Sequence, residues 1–278
     1  IYLGSSHCEP MLCNIAGEWD TATMGEYNYA TNALSVASYW RQRVTLTKEA
    51  PAIYTLGMRG KHDGPMLGAK TNEERKNLLQ RVINDQRQIL QETFKCSLES
   101  IPQVFIPYKE VLDIYLAGLK VPEDVTLIWC DDNYGYLSRL SSEAEQKRQG
   151  GAGVYYHVSY WGRPHDYLWL ATTNPALIHF EMKRAWDHGA RRLWVLNVGD
   201  IKPAEYLMEY FLDYGWTVGQ EPVETGQADE LPYTTHLAHF FEREFGQEVA
   251  GTLTFVMEAF YQLATQRKPE HMGWSRVE

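Results

Sequence analysis

The sequence predicts an α/β fold: a (β/α)8 TIM barrel, of which six strands are present, followed by the start of an α-helical domain. Two patterns predict this fold. Short β-rich apolar runs alternate with helix-like segments, an order that gives a parallel sheet. Polar or charged residues follow every run, and only in a barrel do the carboxyl ends of all strands build one active-site face. In an open sheet the ligand contacts concentrate near a single switch point, so the barrel is preferred.

Six runs are predicted as strands because each is four to six residues long and bounded by Gly, Pro, Asp or Asn. They are residues 1–5, 53–58, 103–106, 126–130, 154–159 and 193–197. A complete barrel of this type has eight strands. The six predicted strands are two short of that number.

Three helices are predicted between or after these strands. Thr71 and Glu74 have the spacing of a capping box, and Leu78 to Leu90 follow with apolar residues at helical spacing. A second helix is expected over residues 175–188, before the helix-stopping Gly189. A third is expected to begin at Pro203.

The strand pattern ends after Gly219. Residues 229–245 and 249–267 are predicted as two amphipathic helices joined near Gly246. The predicted organisation is therefore a partial TIM-barrel catalytic domain over residues 1–220 and the beginning of a C-terminal helical domain over residues 221–278.

Composition excludes several classes of protein. With 278 residues and 44% hydrophobic residues the chain can bury a full core, which excludes disorder. A formal net charge of −10 argues against a nucleic-acid or membrane-surface partner, because such partners require a basic face. No run approaches the ~18 apolar residues of a transmembrane helix. The four cysteines lack metal-site spacing and are expected to be buried or free thiols.

Carboxylates are the most frequent candidate functional groups at the predicted strand ends. They are Glu9, Asp63, Glu110, Asp131, Asp132, Asp166 and Asp200. Glycoside hydrolysis uses one protonated acid for the leaving oxygen, a second carboxylate for water or the sugar, and aromatic rings that stack on sugar faces. The alternative is that these groups cap strand ends and hydrogen-bond to one another. A third possibility is a metal site at His7 and Glu9, in which case the protein would be a metal-assisted hydrolase.

Two cations lie beside two of these acids in the sequence. Arg59 precedes Asp63, and Lys109 precedes Glu110. The cations either hold the acids ionised or bind a substrate carboxylate, for which Arg offers a bidentate fork. On the predicted strand 154–159, alternation places Tyr155 and His157 on one face and Tyr156 on the other.

At these residues the chain closely resembles the glycoside hydrolase family 115 α-glucuronidases, which remove glucuronic acid or its 4-O-methyl ether from xylan side chains. The resemblance covers essentially the whole chain. Its matching strings lie at residues 4–12, 57–63, 108–110, 129–135, 151–157, 162–167 and 197–203. Among them are Tyr108-Lys109-Glu110 and Asp131-Asp132-Asn133.

The resemblance implies an inverting glycoside hydrolase in which water lies between an acid and a base. Glu110 corresponds to the general acid, and Asp63 to a carboxylate proposed as base or as the group that positions water. An acid on an upstream strand of the family competes with Asp63 for the role of base. The residues that correspond to the uronic-acid pocket are Arg59, Asp131, Asn133, Tyr155, His157 and Tyr160, with Arg59 expected to bind the sugar carboxylate. No cofactor and no metal is implied.

The resemblance also implies a larger, multidomain protein in which residues 1–5 form the third barrel strand. Glucuronoxylan or an acidic xylo-oligosaccharide is the expected substrate, and the full-length protein is expected to form a homodimer. Because a polymer cannot enter a cell, a secreted or periplasmic location is expected. The alternatives are a glucuronidase for another glucuronylated polysaccharide, the metal-assisted hydrolase, and a non-catalytic uronic-acid-binding relic.

Overall fold

The computed structural model describes residues 1–61, 64–163, 166–220 and 232–273. The chain divides into two compact units. Unit 1 is Ile1–Trp129 with Glu143–Ala152, and unit 2 is Cys130–Ser142 with Gly153–Glu278. Asp63, predicted as base or as the group that positions water, lies outside the described residues.

Five short strands follow one another in a single sheet. They are β1 (Tyr54–Leu56), β2 (Gln103–Phe105), β3 (Thr126–Cys130), β4 (Ala152–His157) and β5 (Trp194–Asn197), and they neighbour one another in chain order. The pairs β1–β2, β2–β3 and β4–β5 are parallel. Sequential parallel strands are the order found in a (β/α)8 barrel, so the predicted α/β class is confirmed and the sheet is compatible with part of such a barrel.

The prediction of a first strand over residues 1–5 is wrong. Leu3 makes only an isolated parallel bridge to Ala52, with backbone bonds of 2.8 Å from its own N–H to Pro51 and from Ile53 to its carbonyl oxygen. The side chains of Ile1, Tyr2 and Leu3 are exposed. Because a strand is stabilised by packing on a half-buried surface, these apolar residues do not extend the bridge into a ladder. The described residues therefore contain five strands and not six.

Unit 1 holds five helices, α1 (Ile15–Glu18), α2 (Thr21–Met24), α3 (Ala33–Thr47), α4 (Asn72–Phe94) and α5 (Glu110–Leu116). The predicted capping box of α4 is confirmed: Thr71 Oγ1 accepts from the Glu74 N–H at 3.2 Å, and Glu74 Oε2 accepts from the Thr71 N–H at 3.1 Å. Helix α4 packs against α3, which the sequence reading missed, and Trp40 of α3 is fully buried.

Unit 2 holds α6 (Pro175–Asp187), α7 (Ile201–Thr217), α8 (Tyr233–Phe245) and α9 (Gln247–Gln266). The start predicted for α6 is confirmed, because Asn174 caps it with a 2.9 Å bond from the Ala176 N–H. Helix α8 packs on α7 through the rings of Tyr206 and Phe240, 5.3 Å apart. The predicted domain boundary at residues 220 and 221 adjoins a stretch outside the described residues and stays a prediction.

Short 3-10 turns complete the described structure at Pro10–Leu12, Leu98–Ser100, Glu145–Lys147 and Pro269–His271. Between β3 and β4 the connection carries only such a turn and no α-helix. Within the described ranges, no helix has the length and apolar character needed to cross a bilayer.

Candidate active site

The predicted cation Arg59 and the predicted general acid Glu110 form a partly buried ion pair in unit 1. Arg59 Nε donates to Glu110 Oε1 at 2.9 Å and Nη2 donates to Oε2 at 2.8 Å. The Arg59 side chain is 3% exposed and that of Glu110 is 23% exposed. A bidentate, charge-assisted pair of this kind fixes both side chains in one orientation. Arg59 was predicted either to bind a neighbouring acid or to bind a substrate carboxylate. In this structure it binds the neighbouring acid.

The backbone before Glu110 is strained. Lys109, the residue that precedes α5, has φ 51° and ψ −125°, and Glu110 is the first residue of that helix. Such a conformation is rare for a residue with a side chain and costs on the order of 1–3 kcal/mol. Strain of this type is retained where the surroundings impose it, and here it lies directly before Glu110.

Tyr108 packs its ring against both cations of this region. The Arg59 guanidinium carbon lies 5.6 Å from the ring centroid, and Lys109 Nζ lies 5.0 Å from it. The His7 ring lies 4.4 Å from the same ring, and Tyr108 is buried. The aromatic face attracts both positive charges and so helps to hold Arg59 beside Glu110.

In unit 2 a second pair joins Asp131, at the end of β3, to His157, at the end of β4. Asp131 Oδ1 and His157 Nδ1 are 2.5 Å apart, and both side chains are buried. Asp131 Oδ2 accepts from the backbone N–H of Gly135 at 2.9 Å and of His157 at 3.3 Å. A carboxylate on Nδ1 selects the tautomer that carries its proton on that nitrogen and directs Nε2 away from it.

Aromatic side chains surround this imidazole. The ring of His157 lies 5.2 Å from Tyr155 and, at a right angle, 6.1 Å from Tyr160. Tyr155 Oη accepts from Asn197 Nδ2 at 3.0 Å. Tyr156 points to the opposite side of β4 and stacks on Phe211. The predicted alternation along this strand is confirmed.

The turn after β3 presents Asn133. Its φ is 75°, a left-handed conformation that Asn tolerates better than most residues. Asp132 Oδ1 stabilises the turn by accepting from the N–H groups of Tyr134 at 2.9 Å and Tyr136 at 3.1 Å. Asp132 is therefore a turn-forming residue, whereas Asp131 binds the imidazole.

The sequence reading missed a contribution from the chain after α9. Pro269–His271 packs on the turn after β3, with the His271 ring 5.9 Å from Tyr134, which itself lies 6.1 Å from Tyr160. Burial lowers the pKa of Lys268 in the same segment. No sequence motif marks this contact, because it depends on where a long helix ends in space.

The predicted residues thus form two groups: Arg59 with Glu110 in unit 1, and Asp131, Asn133, Tyr155, His157 and Tyr160 in unit 2. The described residues bring one set of possible metal ligands together, Glu209, Asp213 and His236. Arg243 already binds Glu209 through two bonds of 2.8 and 2.7 Å, so this set forms a salt-bridge network. His7 and Glu9 do not belong to any such set in the described part of the chain.

The chain was compared with known proteins. A family model described as Glycosyl hydrolase family 115 matches residues 1–271. A solved structure of a family GH115 4-O-methyl-α-glucuronidase with specificity for decorated arabinogalactans is 53% identical, with a TM-score of 0.92. The match covers 100% of this chain and 36% of that protein, so the chain spans about a third of its length. No curated protein matches the chain. By the extent of these matches, the chain belongs to glycoside hydrolase family 115.

Proposed function

We propose that this chain is part of an α-glucuronidase that removes terminal (4-O-methyl-)glucuronic acid side chains from a plant-type polysaccharide by an inverting mechanism. The observation that carries the proposal is the partly buried Arg59–Glu110 pair in a chain that matches family 115 over residues 1–271. The pair places a guanidinium that can recognise an acidic sugar beside a carboxyl group that can take part in proton transfer once one of its oxygens is released.

Two polysaccharides are candidate substrates. The resemblance to xylan α-1,2-glucuronidases favours glucuronoxylan or acidic xylo-oligosaccharides. The 53% identical relative is specific for decorated arabinogalactans, which favours an arabinogalactan side chain. Both candidates end in the same acidic sugar, so the groups proposed for the uronic acid serve either one. A polymeric substrate also supports a secreted or periplasmic location, and a homodimer remains a prediction.

In the proposed reaction Glu110 protonates the leaving glycosidic oxygen while a base removes a proton from water on the opposite face of the sugar. Asp63 is the proposed base. Asp131, Asn133, Tyr155, His157 and Tyr160 are proposed to bind the sugar. No metal or cofactor is required for this chemistry, since proton transfer and positioning are sufficient.

The ion pair suggests how substrate binding and catalysis are linked. Both oxygens of Glu110 accept a bond from Arg59, so the proton of a general acid would lie on an oxygen that is already engaged. A substrate carboxylate that bound Arg59 would replace one of these bonds and release that oxygen. We therefore assign both roles to Arg59: it holds Glu110 in the unliganded site and binds the uronic acid carboxylate when substrate arrives.

The experiment is to incubate the full-length protein with two oligosaccharides, one glucuronoxylan-derived and one arabinogalactan-derived, and to follow the anomeric proton of the released sugar by NMR. Early β-glucuronic acid from either one supports an inverting α-glucuronidase and identifies its substrate. Early α-product means retention, and the assignment of acid and base is then wrong. Release that stops on addition of a chelator would support the metal-assisted alternative, and binding without release would support the non-catalytic relic.

The role of Glu110 is tested with Glu110→Gln, which keeps the shape of the side chain and removes its acidic proton. Turnover of poor leaving groups should fall by about 100-fold or more, as for other general acids. Asp113→Asn is the matched control, because Asp113 is an exposed acid in the same helix. A loss of less than tenfold for Glu110→Gln, or an equal loss in both variants, would remove Glu110 from this role.

A further inference from the structure

Gln86, in the middle of α4, is a fully buried amide that binds the main chain of one glycine. Its Oε1 accepts from the Gly57 N–H at 2.8 Å, and its Nε2 donates to the Gly57 carbonyl oxygen at 2.8 Å. The two bonds define the orientation of the amide, since an N–H needs an acceptor and a carbonyl needs a donor. The Oε1 and Nε2 atoms of Gln86 are thus both hydrogen-bonded to a single residue.

Gly57 is the point at which the chain leaves the sheet. The β1–β2 ladder ends with Leu56 opposite Phe105, so the polar groups of Gly57 lie beyond the last strand pair. Buried backbone groups need partners, and Gln86 supplies both. The φ of Gly57 is 106°, a conformation that side-chain-bearing residues rarely adopt. The turn at Gly57 is therefore held by a side chain of α4 and not by hydrogen bonds of the sheet.

This turn lies two residues before Arg59. Met58, the residue between them, is 2% exposed and Arg59 is 3% exposed, so little room exists for the segment to shift. From Arg59 two hydrogen bonds lead directly to Glu110. A continuous chain of contacts thus connects the interior of α4 to the carboxylate proposed as general acid.

We infer that Gln86 is a positioning residue for the reaction: it sets the Gly57 turn and thereby places Arg59 on Glu110. The inference rests on the proposed function for its catalytic readout. It assigns a role to a residue that lies in none of the segments that carry the family resemblance and whose side-chain hydrogen bonds, within the described part of the chain, go to Gly57.

The test is a double-mutant cycle in the full-length protein. Gln86→Leu removes both bonds and retains an apolar side chain of similar size. It should lower kcat/KM by about 10- to 100-fold, the scale of a displacement of about 1 Å at a catalytic group. In an Arg59→Ala background the same change should cost less than about threefold, because Gln86 acts through Arg59. An equal loss in both backgrounds would overturn the inference, since a smaller folded fraction lowers kcat in either one.

Gln103 offers a matched control. It is also a buried amide, and its Nε2 donates to the carbonyls of Leu98 at 2.8 Å and Ile101 at 3.1 Å, at the beginning of β2. Gln103→Leu removes the same number of bonds to the main chain, together with the 3.0 Å bond that Arg87 Nη1 donates to Gln103 Oε1. These bonds lie at the beginning of β2, whereas those of Gln86 lie beyond the end of β1. It should lower the melting temperature as Gln86→Leu does and leave kcat/KM of the folded enzyme within about threefold.

A second variant covers the case in which Gln86→Leu does not fold. Gln86→Glu is nearly isosteric, and its protonated form can still donate to the Gly57 carbonyl, whereas its ionised form cannot. Burial favours the protonated form. The activity of this variant relative to wild type should therefore be close to one at low pH and fall as the pH rises. A ratio that does not change with pH would argue against the role.

Failure of the proposed function is distinguishable from failure of this inference. If the wild-type protein releases no glucuronic acid from any substrate, the proposed function fails, and the inference is then read from a crystal structure of Gln86→Leu or Gln86→Glu. Displacement of Arg59 from Glu110 supports it. An Arg59–Glu110 pair that keeps both bonds, with the 2.9 and 2.8 Å distances of the parent, overturns it.

Discussion

At the residue scale, the described part of the proposed site consists of polar side chains that bind one another. Arg59 and Glu110 satisfy each other, and Asp131 binds His157 and two backbone N–H groups. Charges in a buried position are tolerated only when they are paired, so each pair makes its members compatible with the interior.

Arg59→Ala tests whether the guanidinium binds the sugar carboxylate. We expect the KM for glucuronic-acid substrates to rise more than the KM for the methyl-esterified analogue, because only the acid offers a bidentate partner. The measurement is steady-state kinetics on the matched pair of substrates. Equal changes for the acid and the ester would show that Arg59 acts only through Glu110.

At the element scale, local capping and packing place the site residues. Helix α5 begins directly at Glu110, and α4 supplies the amide that binds Gly57. The capping box of α4 is the clearest local determinant. Backbone N–H groups of Lys70 and Thr71 hydrogen-bond the Glu74 carboxylate and lower its pKa. Because the folded pKa is depressed, the stabilisation from this group is present above the unfolded pKa and is lost as the pH falls through the folded one.

Thr71→Ala should lower the free energy of unfolding by about 1 kcal/mol, because it leaves the first turn of α4 without its side-chain acceptor. The measurement is urea denaturation at pH 7. Thr45→Ala is the control: Thr45 lies inside α3 and its hydroxyl donates to the Arg41 carbonyl, so the change to Ala should be neutral or slightly stabilising. Equal destabilisation by both changes would contradict a capping role.

At the scale of the whole molecule, cysteines report on each unit separately. Cys13 lies in unit 1 and Cys130 in unit 2, and burial raises the pKa of both thiols. Cys96 is exposed. The thiolate is the reactive form, so buried thiols with raised pKa values react slowly. The prediction that the cysteines are buried or free thiols is consistent with this distribution.

Iodoacetamide should therefore modify Cys96 first in the native protein, Cys130 more slowly because its thiol is only partly exposed and its pKa is raised, and Cys13 only after unit 1 opens. Mass spectrometry of peptides after timed labelling measures this order, and Cys96→Ser should remove the fast phase. Labelling of Cys130 as fast as Cys96 would contradict burial of the thiol in unit 2.

The sequence by itself determined the features that depend on near neighbours. The capping box at Thr71, the start of α6 after Asn174 and the alternation of Tyr155 and Tyr156 follow from residues within four positions of one another. Prediction from near neighbours failed at residues 1–5, where the side chains of Ile1 to Leu3 are exposed and only a single β-bridge forms. It also missed α3, whose burial comes from contact with α4.

Only the tertiary structure decided which of these side chains meet. Arg59 and Glu110 are 51 positions apart, Gly57 and Gln86 are 29 apart, and Asp131 and His157 are 26 apart. Such contacts require loops to close and side chains to adopt one rotamer within a packed interior, and no local propensity encodes either. The sequence therefore identified the carboxylates and the cation, whereas the fold paired Arg59 with Glu110 and recruited Gln86 to hold it there.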